Sequence, residues 1–434
     1  MPTSLLAIAK KAQEKKDTRF FNLYRLIDED FLLDCWRKIR KNAAHGVDGI
    51  SARQYEENLI GNIRKLVERL KRKNYRARLV RRHWIPKTDG KMRPLGIPVV
   101  EDKLLQLAVT RILGAIYEQD FLRCSYGYRP KKGALDAVDK LTVKLQFGRY
   151  NFVVEADIQG FFDNLDHEDL IEMLSQRIGD RQLLRLIRKW LKAGVLDTDG
   201  KVIHPLTGTP QGGIVSPILA NVYLHYALDL WFHEQVRWHT KGEACLIRYA
   251  DDFVCAFENQ DEAQHFFGVL EHRLEQFGLQ LATAKSRVIP FSRNDEPGRT
   301  RFDFLGFEFY WGKDRAGKPH LLRRTSRKKL RNSLANFTQW CRENRSTPLR
   351  KLFPALNPKL RGYYQYYGVS GNSLGLQEFY HEAMAILWKW LNRRSQRRSF
   401  TRQGFKDLLN HFKVPEPRIR VRPRVQDRPA VSFS

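Results

Sequence analysis

Residues 247–255 read IRYADDFVC. An apolar run enters Tyr249-Ala250-Asp251-Asp252 and leaves again through Phe253, Val254 and Cys255, so 244–257 (ACLIRYADDFVCAF) is predicted as strand, tight turn, strand. Two adjacent carboxylates inside such a run cost desolvation and mutual repulsion unless a positive charge sits with them. An Asp-Asp pair alone is ordinarily a solvated bend. A second stretch changes that reading. In 149–162, RYNFVVEADIQGFF, Val154, Ala156 and Ile158 alternate with Glu155, Asp157 and Gln159, and Gly160 with two aromatics follows. One acid on a strand and a pair at a hairpin turn on adjacent strands make a compact carboxylate cluster. Hard divalent cations such as Mg²⁺ take a few carboxylates and leave positions for substrate phosphates. Two such ions about 3.5–4 Å apart can activate an attacking hydroxyl and stabilise a leaving pyrophosphate. That is the geometry of a nucleotidyl-transfer palm.

The 434 residues are 42% hydrophobic and 12% aromatic, a globular composition with room for two or three domains. No run of eighteen apolar residues offers a membrane span, and the start, MPTSLLAIAKKAQEKK, lacks the apolar core and cleavage site of a signal peptide. The five cysteines (Cys35, Cys124, Cys245, Cys255, Cys341) show neither CxxC nor metal-ligand spacing and read as reduced thiols of a cytosolic protein. Net charge is +29 and uneven: residues 315–434 carry 27 Lys and Arg against 6 Asp and Glu, a balance of +21. A terminal quarter this basic repels itself unless a polyanion neutralises it, which points to nucleic acid rather than a membrane.

Helical spacing covers 52–72 through Leu59, Ile63, Leu66, Val67 and Leu70. Two extended runs flank Thr88-Asp89-Gly90, a hairpin signal. Helices are predicted over 101–121, over HEDLIEMLSQRI (167–178) and over DRQLLRLIRKWLKAG (180–194). A Gly/Pro-rich loop from Gly208 feeds a long helix with Asn221, Tyr223 and Leu224 in its first turns. A hairpin around Lys313 to Lys318 precedes basic helices, one with Leu376, Tyr380, Met384, Leu387 and Leu391 on a single face. A domain boundary is placed near residue 312.

In order along nearly the whole chain, these stretches resemble a bacterial group II intron-encoded reverse transcriptase with a maturase domain. HGVDGIS (45–51) with the following helix resembles the family's N-terminal extension. IPKTDGKMRPLGIP (85–98) resembles its fingers hairpin, and SYGYRPKKGALDAV (125–138) the segment after it. ADIQGFFDNLDH (156–167) resembles the first catalytic block, GTPQGGIVSPILANVYL (208–224) the template-primer loop, and RYADDFVC (248–255) the polymerase turn. LQLATAKSRVI (279–289) and FDFLGFEF (302–309) resemble the blocks that close the palm. LNPKLRGYYQYYGV (356–369) with LWKWLNRRSQRRS (387–399) resembles the thumb, or maturase, domain.

The resemblance implies an α+β right-hand polymerase with fingers, a palm built on an antiparallel sheet and a helical thumb. N-terminal extension and fingers would occupy 1–100, palm and remaining fingers elements 101–312, thumb 313–395, and a basic DNA-binding region 396–434. Asp157, Asp251 and Asp252 would bind two Mg²⁺ ions, with Mn²⁺ a possible substitute. Lys87 and Arg93 would meet the incoming triphosphate, Lys as a point charge and Arg as a fork of donors. Phe161 would stack beneath the sugar and exclude a 2′-hydroxyl, with Phe162 in the core; the sequence leaves these two interchangeable. Gln211 would contact the incoming nucleotide or its template pair, with Gly212 and Gly213 allowing close backbone approach. Lys285 would lie near primer and nucleotide, although LATAKS (281–286) has Ala where many relatives have Asn and Glu. Arg393, Arg394, Arg397 and Arg398, beyond the end of a thumb helix, would bind RNA or DNA.

Many relatives carry a C-terminal endonuclease with paired cysteines; a chain ending RPAVSFS without CxxC resembles the compact class associated with group IIC introns, which lack second-strand cleavage. The expected function is RNA-directed DNA synthesis together with intron-RNA binding, splicing assistance and target-primed mobility. Expected partners are intron RNA, RNA template, DNA primer, target DNA and dNTPs, with no membrane. The expected location is the bacterial cytoplasm, at the nucleoid when acting on DNA. Two alternatives are a splicing maturase whose polymerase is dispensable and an intron-free polymerase serving defence or repair.

Overall fold

The computed structural model describes residues 3–86, 92–204, 206–209, 212–394 and 399–419. The chain divides into two compact units, Met1–Lys144 with Gly148–Val288, and Leu145–Phe147 with Ile289–Ser434.

The first unit opens with helices α1 (Thr3–Glu14), α2 (Glu29–Trp36), α3 (Ala52–Glu57) and α4 (Leu59–Lys71). The periodic stretch over 52–72 resolves into two helices. Ser51 and Gln54 close a capping box on α3, and Asn58 leaves helical backbone (φ −129°, ψ 48°). The hairpin consists of β1 (Val80–Pro86) and β2 (Met92–Ile97), antiparallel with Arg81 opposite Ile97 and Pro86 opposite Met92. Helix α5 (Val100–Tyr117) runs through the core, burying Leu104, Leu105, Ala108, Val109, Ile112 and Leu113. Next come α6 (Ala134–Phe147), β3 (Phe152–Ala156), the short β4 (Ile158–Gln159) and α7 (Phe161–Asn164). Helices α8 (His167–Ser175) and α9 (Arg181–Leu191) start on aspartate caps, Asp166 and Asp180, whose carboxylates accept from first-turn amides. Strand β5 (Val195–Leu196) lies parallel to β1 and pairs with β6 (Val202–Ile203).

Helix α10 (Ser216–Leu224) continues through two π-helical turns, His225–Asp229 and Phe232–Val236, into α11 (Arg237–His239). Strands β7 (Ala244–Tyr249) and β8 (Asp252–Phe257) form the predicted hairpin, followed by α12 (Gln260–Glu275), β9 (Gln280–Leu281) and β10 (Arg287–Pro290). Strand β8 is antiparallel to β7 on one side and to β3 on the other, with Ala156 opposite Phe253 and Tyr249 opposite Asp252. Both faces of β8 are covered, so Phe253 to Phe257 form an unbroken buried run instead of an alternating one.

In the second unit β11 (Phe302–Phe304), β12 (Phe307–Lys313) and β13 (Pro319–Thr325) form an antiparallel meander. Four helices follow: α13 (Arg327–Glu343), α14 (Leu349–Tyr367), α15 (Ser373–Leu391) and α16 (Arg402–His411). Leu352, Phe353, Leu356, Leu360, Leu376 and Phe379 lie in their shared core. Fully buried Asn372 accepts from the Thr325 amide (3.0 Å) and donates to the Tyr367 carbonyl (2.8 Å), tying β13 to the α14–α15 connection. The meander thus lies in the same compact unit as its helices, Leu145–Phe147 with Ile289–Ser434. Among the described residues no helix is long and apolar enough to cross a membrane. All five cysteines are free thiols, Cys124 half-buried and the others buried.

Candidate active site

Asp157 stands where β3 stops and a second pairing begins. Ala156 is still opposite Phe253, whereas Ile158 is already opposite Leu281 of β9. The Asp157 amide donates to Ser286 Oγ (3.2 Å) and its carbonyl accepts from the Ala282 amide (2.8 Å), so its backbone is held from the 282–286 side. The strand read as continuous from 149 to 162 is therefore interrupted at Asp157, where the pairing passes from β8 to β9. Lys285, on a short 3₁₀ turn (Thr283–Lys285), places its ammonium 2.6 Å from Asp157 Oδ2.

Asp251 and Asp252 cap the β7–β8 hairpin. Ala250 takes left-handed backbone (φ 57°), an uncommon state for a residue with a Cβ, at a loop position where glycine is the usual choice. Asp251 is half-buried, and its carboxyl is pushed above the usual carboxylate range, first by burial and then by the charge of Asp157. Arg93 and Arg248 pull in the opposite direction. The carboxylates of Asp157, just past the end of β3, and of Asp251, in the β7–β8 turn, therefore repel each other, with an ammonium and two guanidinium groups in their field. Asp252 is exposed, at the first position of β8. Among the described residues no group of three His, Cys, Asp or Glu side chains is drawn together in a way that could hold a metal ion. The donors are nevertheless hard oxygens, Asp157 already holds a cation in the form of the Lys285 ammonium, and like-charge repulsion on Asp251 is left over. This chemistry fits a divalent ion.

Arg93 is exposed on β2, and its charge reaches Asp251 and Tyr128. Phe161, expected beneath the sugar, is only 2% exposed and packs edge-on against Phe162 and Tyr223. Phe162 is half-buried, and of the two rings it is the one that reaches the surface. The loop before α10 is clipped to this segment: the Thr209 amide donates to the Phe162 carbonyl (2.8 Å), and the His167 ring Nε2 lies 2.6 Å from the Gly208 carbonyl. Gly212 has φ 111°, and a Cβ there would meet the Gly96 carbonyl of β2 at 2.7 Å. Lys87, Gln211, Arg397 and Arg398 lie outside the described residues. Arg393 is exposed, its guanidinium 5.6 Å from the Trp390 ring centroid. Arg394 is half-buried and donates to the Thr347 carbonyl (2.8 Å); burial lowers its pKa. Tyr363 stacks on Phe379, Tyr364 is buried, and Tyr366 and Tyr367 pack on Phe307, so the tyrosine cluster belongs to its unit's own packing.

Sequence reasoning passed over Arg248. Its side chain, like that of Asp229, is 0% exposed, and the two form a two-pronged ion pair, Nε–Oδ1 2.7 Å and Nη2–Oδ2 2.5 Å. The signal was there: a full charge inside the apolar run ACLI-R-Y. Its partner could not be read, because Asp229 lies nineteen residues earlier in a π-helical turn.

The chain matches the reverse transcriptase (RNA-dependent DNA polymerase) family over residues 85–309 and the group II intron maturase-specific domain over residues 327–408. It is similar to the group II intron-encoded protein LtrA of Lactococcus lactis subsp. cremoris, 41% identical over 223 residues, which are 50% of this chain and 36% of that protein. The chain thus spans about a third of the length of that relative. Protein YkfC of Escherichia coli (strain K12) is 31% identical over 371 residues, 76% of this chain and 94% of YkfC. The nuclear intron maturase 4, mitochondrial, of Arabidopsis thaliana is 25% identical over 156 residues, 36% of this chain and 19% of that protein. With the α+β fold and the antiparallel β3–β8–β7 sheet, these matches make the chain a member of the reverse transcriptase family carrying a group II intron maturase-specific domain.

Proposed function

We propose that the chain is an RNA-directed DNA polymerase that also binds group II intron RNA, assists its splicing and supports target-primed copying of the intron into DNA. The observation that carries the polymerase reading is the β3–β8 register, which sets Asp157, at the end of β3, beside the β7–β8 turn that holds Asp251, with Lys285 on the first and the charge of Arg93 reaching the second. Asp157, Asp251 and Asp252 would hold two Mg²⁺ ions, or Mn²⁺ in their place. When bound, such ions supply activation of the primer 3′-hydroxyl and charge stabilisation on the departing pyrophosphate. Arg93 offers a fork of donors to the triphosphate, and Lys285 an ammonium at the edge of the site. Lys87 and Gln211 belong to the same proposal by their positions in the motifs. Phe162 takes the sugar-excluding role in preference to Phe161, since a buried ring cannot meet a ribose without unpacking the core. In primer extension on an RNA template, Asp251→Ala should lower turnover by about 10³-fold or more. Extension at the wild-type rate would sink the assignment.

The RNA-binding half rests on the maturase-specific match and the +21 balance of residues 315–434. Thumb residues 313–395 would grip intron RNA, with Arg393 and Arg394 among them. The region 396–434, with Arg397 and Arg398, would contact target DNA, which places the protein at the bacterial nucleoid when it acts.

A further inference from the structure

The Asp251–Asp252 turn contains a strained residue, and the buried ion pair beneath it has no evident purpose in stability. A residue with a Cβ in left-handed backbone costs on the order of 1–2 kcal/mol, and such a conformation persists only when its surroundings over-determine it. A fully buried Arg–Asp pair is weak evidence for stability, because apolar residues of similar size commonly do as well. What an apolar side chain cannot do is donate a hydrogen bond into the turn. Arg248 Nη1 donates to the Ala250 carbonyl (2.9 Å), the carbonyl of the strained residue itself. The same guanidinium is held by Asp229, by Asn221 Oδ1 (3.1 Å) and by Ser125 Oγ (2.8 Å). Asn221 Nδ2 in turn donates to the Gly127 carbonyl (2.7 Å). At Gly127 an added Cβ would overlap the Ala250 backbone nitrogen, so the 125–127 loop presses on the turn from the other side. The backbone agrees: the Arg248 amide donates to the Cys124 carbonyl (2.8 Å) and the Tyr126 amide to the Arg248 carbonyl (2.9 Å).

We infer that Arg248 is the positioning residue of the polymerase turn. Anchored on Asp229 and braced by Asn221 and Ser125, it fixes the Ala250 carbonyl and so sets where the Asp251 carboxylate points. The inference rests on the polymerase reading for its kinetic consequence but not for its structural one. Misplacing a reacting group by about 1 Å costs on the order of 100-fold in rate. Losing the fork while keeping the charge should therefore reduce kcat more than substrate binding.

The experiment uses the full chain with Arg248→Lys, Asn221→Ala and Ser125→Ala. Folding is checked by thermal melts, primer–template Kd by anisotropy, and kcat and dNTP KM by single-nucleotide extension. Amide hydrogen exchange is followed on the peptide spanning 245–256, and Mn²⁺ binding by the free-ion EPR signal. In Arg248→Lys, kcat should fall about 10- to 100-fold with primer–template Kd and dNTP KM within about twofold. Exchange should quicken in 249–252 but not across α5, and Mn²⁺ should bind more weakly. Should Arg248→Lys fail to fold, Asn221→Ala and Ser125→Ala, each removing one brace, should show the same pattern at about 3- to 10-fold. Folded variants with unchanged kcat and turn exchange would overturn the inference, as would activity lost only in proportion to the unfolded fraction. If the wild type synthesises no DNA, the polymerase reading fails, while turn exchange and Mn²⁺ binding still decide the role of Arg248.

Discussion

Lys285 holds its ammonium 2.6 Å from Asp157 Oδ2, so the first carboxylate of the cluster is already paired with a cation from its own chain. The lysine side chain is 71% exposed, so the pair contributes about 0–1 kcal/mol, the value of a screened surface bridge. Its consequence is competition. Lys285→Ala should bind Mn²⁺ more tightly in the absence of substrate, measured by EPR of the free ion, while dNTP KM rises. Weaker Mn²⁺ binding in this variant would mean that the lysine does not compete for Asp157.

Phe161 and Phe162 should separate stability from sugar choice. Truncating buried Phe161 to Ala should cost about 3–5 kcal/mol in denaturant unfolding. Phe162→Val should leave the midpoint nearly unchanged and admit rNTPs, because a steric block is removed and no charge is lost. Misincorporation assays with rNTPs check this, and relaxed discrimination in Phe161 variants alone would restore the first assignment.

Asp102 should make stability fall as pH rises through the acid range. It is buried on α5, accepting from Tyr75 Oη (2.6 Å) and the Arg78 amide (3.1 Å), and burial raises its carboxyl to about 6. Between its ordinary range near 4 and about 6 the folded state holds a proton that the unfolded chain has released, so unfolding becomes easier as pH climbs. The contribution is on the order of 3 kcal/mol across that window. Melts at pH 4, 5, 6 and 7 should show a steeper loss for wild type than for Asp102→Asn; parallel curves would exclude the effect.

RNA binding should depend on salt and on the basic end of α15. Arg393→Gln with Arg397→Gln should weaken intron-RNA binding and flatten the plot of log K against log salt by about 1–2 units, leaving synthesis on a short annealed template. Asp251→Ala with Asp252→Ala should abolish synthesis while RNA binding persists. Unchanged salt dependence in the arginine pair would move the RNA surface elsewhere.

Much of the site was legible because its signals are local. YADD between two apolar runs has to be a hairpin turn, and its acids need cations whatever surrounds them. The β1–β2 hairpin, the helices after Asp166 and Asp180, and the apolar face of α15 follow from turn chemistry, capping and periodicity within a few residues. The break at Asp157 was not legible, since 149–162 alternates like one strand. Only the competing pairing of Ile158 with Leu281 breaks it.

The sequence by itself determined most element types, the ordered motif series and the charge asymmetry, because each depends on near neighbours or on composition. Tertiary structure alone decided which phenylalanine is buried, that Lys285 meets Asp157 across 128 residues, and that Arg248 finds Asp229, Asn221 and Ser125 beneath the turn. A buried charge announces that a partner must exist, but which partner depends on how distant segments pack. No local period encodes that.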